Sequence, residues 1–474
     1  MNHQSTLAII SELDHETRSE HLFTNKQVID INHINAIKNV ILNYLKLIFM
    51  PATGLPMTKN NDCYDNTGKP SLLTVKQTLE LIKNNISSIR QTQKLSIRDA
   101  LGYTLAEDVT SSINVPPYRN SAMDGYAINS KDLNGASEIQ LKVIGSSFAG
   151  APFSGKVSAC ECVRIMTGAM MPDDCDTVVM QEDAVRNEDS IRISAQHKAD
   201  QNVRHAGEDI QQGAVVLSAG KQISPADLGL LSSIGVAEVV TARKPVVAFF
   251  STGDELKSLG ETLESGQIYD SNRYTLFGML KKMDVEILDL GVIADNKALI
   301  KETLEQAAKQ ADLILTSGGA SVGEADYVAE ILQEIGQVNF WKIAMKPGKP
   351  LAFGHINNTP YFGLPGNPVS VMATCYIFVQ PAIAYLKGLE QSSHLSLKAK
   401  CLNTLKKEPG RTDYQRGVLK QTENGELCVD TTGMQGSHIL TSMSTANCFI
   451  VIPQHSADVE AGETVEVLPF NDIL

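Results

Sequence analysis

Three short loops hold most of the residues that could do chemistry: Ser251-Thr252-Gly253-Asp254-Glu255, the glycine-rich stretch Ser317-Gly318-Gly319-Ala320-Ser321-Val322-Gly323, and Leu364-Pro365-Gly366-Asn367-Pro368. Each follows an apolar stretch of strand length. Open α/β sheets bind ligands beyond the C-terminal ends of their strands, so the three loops are expected to border one crevice. Glycines in the middle loop let backbone N–H groups approach phosphate oxygens, and the helix expected to begin at Asp326 presents an N-terminus that favours anions. Taken alone, that loop suits a structural turn as well as a phosphate cradle.

Lys346-Pro347-Gly348-Lys349-Pro350 is sharper, because proline and glycine stiffen the loop and fix where two ammonium groups point. Solvated lysines on a surface turn would be the ordinary reading. Their place beside the glycine loop in an acidic protein favours binding of a phosphate or another tetrahedral oxyanion. Carboxylates gather at the same loops: Asp254, Glu255, Asp295, Glu324 and Asp326, with Asp124 and Glu208-Asp209 arriving from a preceding module. One aspartate at a helix start is usually a cap. Several at strand ends facing a phosphate site suggest Mg²⁺, which takes one or two carboxylates and completes its shell with substrate oxygens and water. The ten histidines show no HxH or HExxH spacing, His205 and His438 stand isolated, and no Walker loop is present.

The elements that must position these loops are readable in part. Thr74 as N-cap with Gln77 as its capping-box partner opens a helix through Val75, Leu79, Ile82 and Ile86. Residues 120 to 210 alternate short apolar runs, Leu141 to Ile144, Val163 to Met166, Thr177 to Met180 and Ile191 to Ile193, with turn residues, which predicts a β-rich module. Ser224 and Pro225 start a second helix. After Lys244 come the apolar run Pro245 to Ser251, a helical face of Ile300, Leu304, Ala307, Ala308 and Ala311, the run Leu313 to Thr316, and a helix carrying Val328, Ile331, Leu332 and Ile335. That alternation predicts a parallel, doubly covered sheet. Ser370 to Leu386 is apolar nearly all round and should be buried in the core or at a subunit interface. From about Ser392 only short alternating runs remain, so the last module is expected to be a β-barrel or sandwich.

Composition bounds the rest. The 474 residues are too many for one core and suggest three or four domains at roughly 100 to 200 residues each. A formal net charge of −13 repels nucleic acid and anionic membranes, so anionic ligands need local cation clusters. The eight cysteines are scattered without a CxxC pair, which favours buried, reduced thiols. With no signal-peptide pattern and no stretch expected to approach the ~20 apolar residues of a membrane span, a cytoplasmic location is expected.

Pro116 to Ala127 (PPYRNSAMDGYA) closely resembles the signature of the molybdopterin molybdenumtransferases, the family that includes the C-terminal domain of gephyrin. Arg164 to Gly168 (RIMTG), Gly207-Glu208-Asp209, Ser251 to Glu255, Gly266 to Asn272 (GQIYDSN), Ser317 to Tyr327, Lys346 to Pro350, Leu364 to Ser370 and Gly433 to Leu440 follow in the family's order. The resemblance spans about Leu72 to Phe470.

It implies a multidomain α/β plus β protein. A linker region is split into 71–115 and 210–243 around an inserted β-rich domain at 116–209, with a doubly wound molybdopterin-binding α/β domain at 244–390 and a β-barrel at 391–474. Functional residues implied by the match are Asp124, Thr167, Asp209, Glu255, Asp295 and Asp326, with Glu255, Asp295 and Asp326 holding Mg²⁺ and Asp326 and Asp295 the candidates for positioning an attacking water. Molybdate is expected at Lys346, Lys349, Ser370, Arg411 and Ser437. The molybdopterin substrate is expected at Ser317, Gly318, Gly319, Ser321, Gly323, Pro365, Gly366, Asn367 and Pro368. The implied reaction inserts molybdate into adenylylated molybdopterin and releases AMP, in a homodimer, with molybdopterin adenylyltransferase and acceptor molybdoenzymes as further candidate partners and neither nucleic acid nor membrane among them. Two rival readings are a molybdopterin adenylyltransferase, whose single domain resembles only residues 245 to 386, and a non-catalytic scaffold of the gephyrin type. Residues 1–70 are expected to form a weakly ordered extension, of which residues 1–56 are expected to be dispensable, with Met57 a candidate start of translation.

Overall fold

A computed structural model describes residues 72–133, 137–318, 327–389 and 394–470. The N-terminal extension, Gly319, Ser321, Gly323 and Asp326 therefore lie outside the described residues. The first helix, α1 (Val75–Asn84), opens with the expected capping box: Gln77 N donates to Thr74 Oγ1, and Thr74 N to Gln77 Oε1. Strand β1 (Thr92–Ser96) pairs antiparallel with β10 (Glu238–Ala242), more than 140 residues later in the chain, so the linker region does close on itself around an insertion.

The insertion contains a two-stranded ribbon of β2 (Asn120–Ser121) and β9 (Val203–Arg204). Its main sheet uses β3 (Gly125–Ile128), β4 (Glu138–Ser147), β5 (Glu161–Ile165), β6 (Thr177–Met180), β7 (Ala184–Asn187) and β8 (Ser190–Ser194) in the order β6-β3-β5-β4-β8-β7. Two cores flank that sheet because side chains alternate: Tyr126 and Ile128 join one cluster, Ala127 the other. Helix α2 (Pro225–Ser233) then starts at Ser224, whose hydroxyl accepts from Asp227 N while Asp227 accepts in return.

The α/β domain is built from β11 (Val246–Thr252), α3 (Ser271–Lys282), β12 (Glu286–Ile293), α4 (Lys297–Gln310), β13 (Leu313–Ser317), α5 (Tyr327–Ile335), β14 (Gly336–Lys342), β15 (Met345–Lys346), β16 (Pro350–Ile356), β17 (Thr359–Leu364), α6 (Pro368–Thr374) and α7 (Gln380–Leu386). Its sheet runs β12-β11-β13-β17-β16-β14. Within β11, Val247 and Phe249 pack toward Leu276 and Met279 of α3, while Ala248 and Phe250 pack toward Ile300 and Leu304 of α4. The sheet is thus covered on both faces. Only β12, β11, β13 and β17 are parallel, however; β16 and β14 run antiparallel at one edge. The expectation of a wholly parallel sheet is corrected there, because the turn at Asn357-Asn358 joins β16 directly to β17 and a hairpin pairs antiparallel strands.

Pro368–Leu386 forms one helical run, with a π-helical segment at Cys375–Val379 between α6 and α7. By length and composition it could cross a bilayer, so the expectation that no stretch approaches that length is corrected; most of it is buried inside the fold, as its all-round apolarity demands. The last module comprises β18 (Leu397–Cys401), β19 (Thr412–Gln421), β20 (Leu427–Thr431), α8 (Leu440–Thr445), β21 (Cys448–Ile452) and β22 (Thr464–Pro469). Ladder order β19-β20-β18-β22-β21 returns to β19, giving a closed five-stranded barrel, and β15 of the α/β domain adds to β19 from outside.

Candidate functional site

Strand register places the three chemical loops side by side. Ser251 stands opposite Ser317, and Ser317 opposite Leu364, so the loops leave the sheet at the same edge. Asn272, in the first turn of α3, ties two of them together: its Nδ2 donates to Ser317 Oγ at 2.9 Å and to Gly366 O at 2.8 Å. Gly318 N adds a bond to Leu364 O, 3.2 Å away. Ser317, Gly318, Pro365, Gly366, Asn367 and Pro368 are therefore neighbours, with Ser317 and Pro365 buried and Gly366 and Asn367 exposed. Ser251 Oγ, Asp270 Oδ2 and Asn272 Oδ1 are buried there without a hydrogen-bond partner among the described residues, leaving polar capacity at the strand ends.

The cationic loop is fixed by packing. Met345 and Lys346 pair with Thr412 and Asp413 of the barrel, Thr412 N donates to Ala344 O at 2.8 Å, and Ile343 N donates to Lys349 O at 2.7 Å. Gly348 has φ +102°, and a methyl group there would lie 2.7 Å from Thr374 Cγ2 in α6. Thr374 in turn donates through Oγ1 to Ser370 O at 2.7 Å. Arg411 immediately precedes Thr412, and Ser437 O accepts from Val369 N, next to Ser370, at 3.1 Å. Lys346, Lys349, Ser370, Arg411 and Ser437 thus gather where β15, β19 and the start of α6 meet. Lys346 and Lys349 are exposed, and Lys346 Nζ lies 3.7 Å from Asp413 Oδ2, a buried carboxylate absent from the sequence expectations.

On the other side of the loops, Asp254 Oδ1 accepts from Asp295 N at 3.2 Å, and Glu255 folds back so that a methyl on Gly253 would meet its Oε2 at 2.5 Å. Partial burial, then the charges of Asp254 and Glu255, hold the Asp295 carboxyl above the usual carboxylate range. No lysine or arginine ion-pairs with Asp254, Glu255 or Asp295 among the described residues. Three His, Cys, Asp or Glu side chains do not converge into a closed metal cage anywhere among them either. Uncompensated hard oxygen donors, too few to enclose an ion, fit Mg²⁺ with substrate and water completing the shell.

Asp124 belongs to a separate construction. Its Oδ1 accepts from both Thr167 N and Thr167 Oγ1 at 2.7 Å, and these bonds, the backbone one first, hold its carboxyl below the usual range, with help from Arg164. Asp209 follows Gly207 in a loop held to Val115 O. No hydrogen bond or ion pair joins Asp124, Thr167 or Asp209 to the strand-end loops among the described residues. The sequence expectations also omitted Asn272 and Arg416; Asn272 lies in the GQIYDSN stretch, whereas Arg416 sits in a strand whose polar sequence gave no core signal.

Comparison with known proteins follows the same order along the chain. Residues 73–235 match the MoeA N-terminal region (domain I and II), 248–385 a probable molybdopterin binding domain, and 398–470 the MoeA C-terminal region (domain IV). A molybdopterin molybdenumtransferase of Haemophilus influenzae is 47% identical over 407 residues, covering 85% of this chain and 100% of that protein. The chain belongs to the molybdopterin molybdenumtransferase family. Gephyrin of Dictyostelium discoideum is 33% identical over 84% of this chain, which spans 62% of that longer protein. Among solved structures of the family, a molybdopterin biosynthesis moeA protein from Pyrococcus horikoshii OT3 superposes with a TM-score of 0.74 at 30% identity, covering 84% of this chain and 100% of that one.

Proposed function

We propose that this member of a molybdenum cofactor biosynthesis family inserts molybdenum from molybdate into adenylylated molybdopterin and releases AMP. The observation that carries the reading is the gathering of Lys346, Lys349 and Arg411 around Ser370 at the edge where the strand-end loops open. Fixed cations on rigid backbone suit a small dianion, because they offset its charge without reorganising. The dithiolene of molybdopterin displaces an oxo ligand, which leaves as water with the two thiol protons. The phosphoanhydride to AMP is hydrolysed at the acidic side of the same edge. Glu255 and Asp295, with Asp326, would hold Mg²⁺, which supplies neutralisation of charge on the leaving phosphate. Asp295 is also a candidate, with Asp326, for orienting the attacking water.

The separation of the acids supports a homodimer. Among the described residues Asp124, Thr167 and Asp209 make no bond to the strand-end loops, so they serve the reaction if they face the cleft of a second copy. The seven described cysteines are free thiols, and burial pushes Cys162, Cys175, Cys375 and Cys448 up to about 12, which supports a reducing cytoplasmic setting.

Incubation with adenylylated molybdopterin and Mg²⁺, with and without molybdate, tests the proposal. AMP release that depends on molybdate and yields molybdenum-bearing cofactor is expected. Formation of adenylylated molybdopterin from ATP and molybdopterin, without molybdate-dependent AMP release, would favour the adenylyltransferase reading; no turnover of either kind would favour the scaffold.

A further inference from the structure

Arg416 is 1% exposed, yet it has no carboxylate partner among the described residues. Burial alone pulls its guanidinium down to about 10. Asp413, three residues earlier in β19, faces Lys346 instead. A charge carried into the interior without a counter-charge is costly, and a neutral side chain would avoid that cost. What Arg416 does there is bind a loop. Its Nε donates to Ser442 Oγ and its Nη2 to Gly436 O, each at 3.0 Å. Ser442 Oγ passes the link on to Ile439 O at 2.6 Å.

The backbone of Arg416 grips the same loop. Its N–H donates to Gln435 Oε1 at 2.7 Å, and its carbonyl accepts from Thr432 N, Thr432 Oγ1 and Gln435 Nε2. Every one of these partners lies between Thr432 and Ser442. Ser437 is in the middle of that segment, directly after Gly436, and its carbonyl receives Val369 N beside Ser370. Arg416 also lines, with Lys346, Asp413 and Gln435, a cavity of about 300 Å³.

We propose that Arg416 is a positioning residue for the oxyanion site: its forked guanidinium fixes the Thr432–Ser442 loop and thereby holds Ser437 against the turn that carries Ser370. This rests on the reading that Ser370 and Ser437 contact molybdate. Lysine retains the charge but not the planar fork, and a single ammonium cannot reproduce both bonds in their present directions. Arg416→Lys therefore separates geometry from charge, which Arg416→Met would not.

The test measures AMP release from adenylylated molybdopterin across a molybdate titration, together with hydrogen exchange at the Val369 amide. Arg416→Lys is expected to raise the half-saturating molybdate concentration about tenfold while changing the saturating rate no more than about twofold, and to speed exchange at Val369. Combined with Ser437→Ala it should cost no more than about the larger single effect, since the two residues act through one loop. Parent-like molybdate dependence in folded Arg416→Lys, or fully multiplying effects, overturns the proposal. Lys349→Ala is the control for the underlying reading. If that variant keeps the parent's molybdate dependence, the oxyanion assignment fails, while Val369 exchange still reports whether Arg416 holds the loop. Should Arg416→Lys not fold, Ser442→Ala removes the Nε acceptor and leaves the arginine; about a threefold shift in the same direction is expected, and unchanged titration and exchange in that variant overturn the proposal.

Discussion

The two charged halves of the candidate site are held in opposite ways. Lys346 and Lys349 stand on a loop locked by tertiary packing, with strand pairing to the barrel on one side and Gly348 seated on Thr374 on the other. Asp124 is held locally, by two bonds from a single residue, Thr167, within its own module. Each half is preorganised before any ligand arrives, and no hydrogen bond or ion pair joins the two among the described residues. The difference teaches that the two halves draw their order from different sources: the cations from the packed core beneath them, the Asp124 acid from a few exposed hydrogen bonds.

Subunit mixing gives the largest expected effect and the most direct way to break the comparison. Asp124→Asn and Lys349→Ala each damage a different half, so either homodimer should be nearly inactive in AMP release at limiting molybdate. Random exchange of the two chains makes half of the dimers mixed, and each mixed dimer has one intact cleft if the halves come from opposite subunits. Roughly one quarter of the parental sites should therefore recover. A mixed dimer, verified by mass, that stays as inactive as its parents would place both halves in the same chain.

Gly348→Val sharpens the claim that the cationic half draws its order from packing. Valine is strained at φ +102°, and its Cβ would meet Thr374 Cγ2 at 2.7 Å. The two penalties together should cost about 2 to 4 kcal/mol, visible as a lower Tm and a shifted denaturation midpoint. Because Thr374 bonds to Ser370, molybdate dependence should rise as well. A variant as stable as the parent would show that the loop is not seated on α6 in solution.

The same contrast explains what could be read from sequence. Thr74 with Gln77 and Ser224 with Pro225 announced their helices, because a cap is a local device written in adjacent residues. Thr177 to Met180 and Leu313 to Thr316 were legible as strands because burial on both faces demands unbroken apolar runs. Strand β19 was not: Asp413, Gln415 and Arg416 are buried polar residues that meet Lys346, the Lys406 carbonyl and the 432–442 loop respectively, a tertiary arrangement that leaves no periodic trace. The antiparallel edge β14–β16 was missed for a related reason, since apolar periodicity does not encode strand direction. At the site, chemically suggestive loops could be named, and the strand-end rule implied that three of them are neighbours. Asn272 as their tie, Asp413 beside Lys346 and Arg416 behind Ser437 each depend on contacts between distant segments.

The smallest expected effect concerns the acidic half alone. Thr167 donates twice to the charged form of Asp124, with the backbone N–H contributing more than the hydroxyl, so the carboxyl titrates below its ordinary 3.8. A carboxyl depressed in the folded state contributes stability above its unfolded value, and that contribution is lost as pH falls through the folded value. Thr167→Val deletes the hydroxyl bond and keeps the N–H. The Asp124 midpoint, followed by carboxyl ¹³C NMR, should then rise toward 3.8 without reaching it, because the larger of the two bonds survives. Acid unfolding should begin at slightly higher pH for the same reason. Half-saturating molybdate should not move, since no bond joins Thr167 to the cationic half among the described residues. An unchanged midpoint would mean that the hydroxyl does not hold Asp124 in solution, and a shifted molybdate dependence would mean that the halves communicate after all.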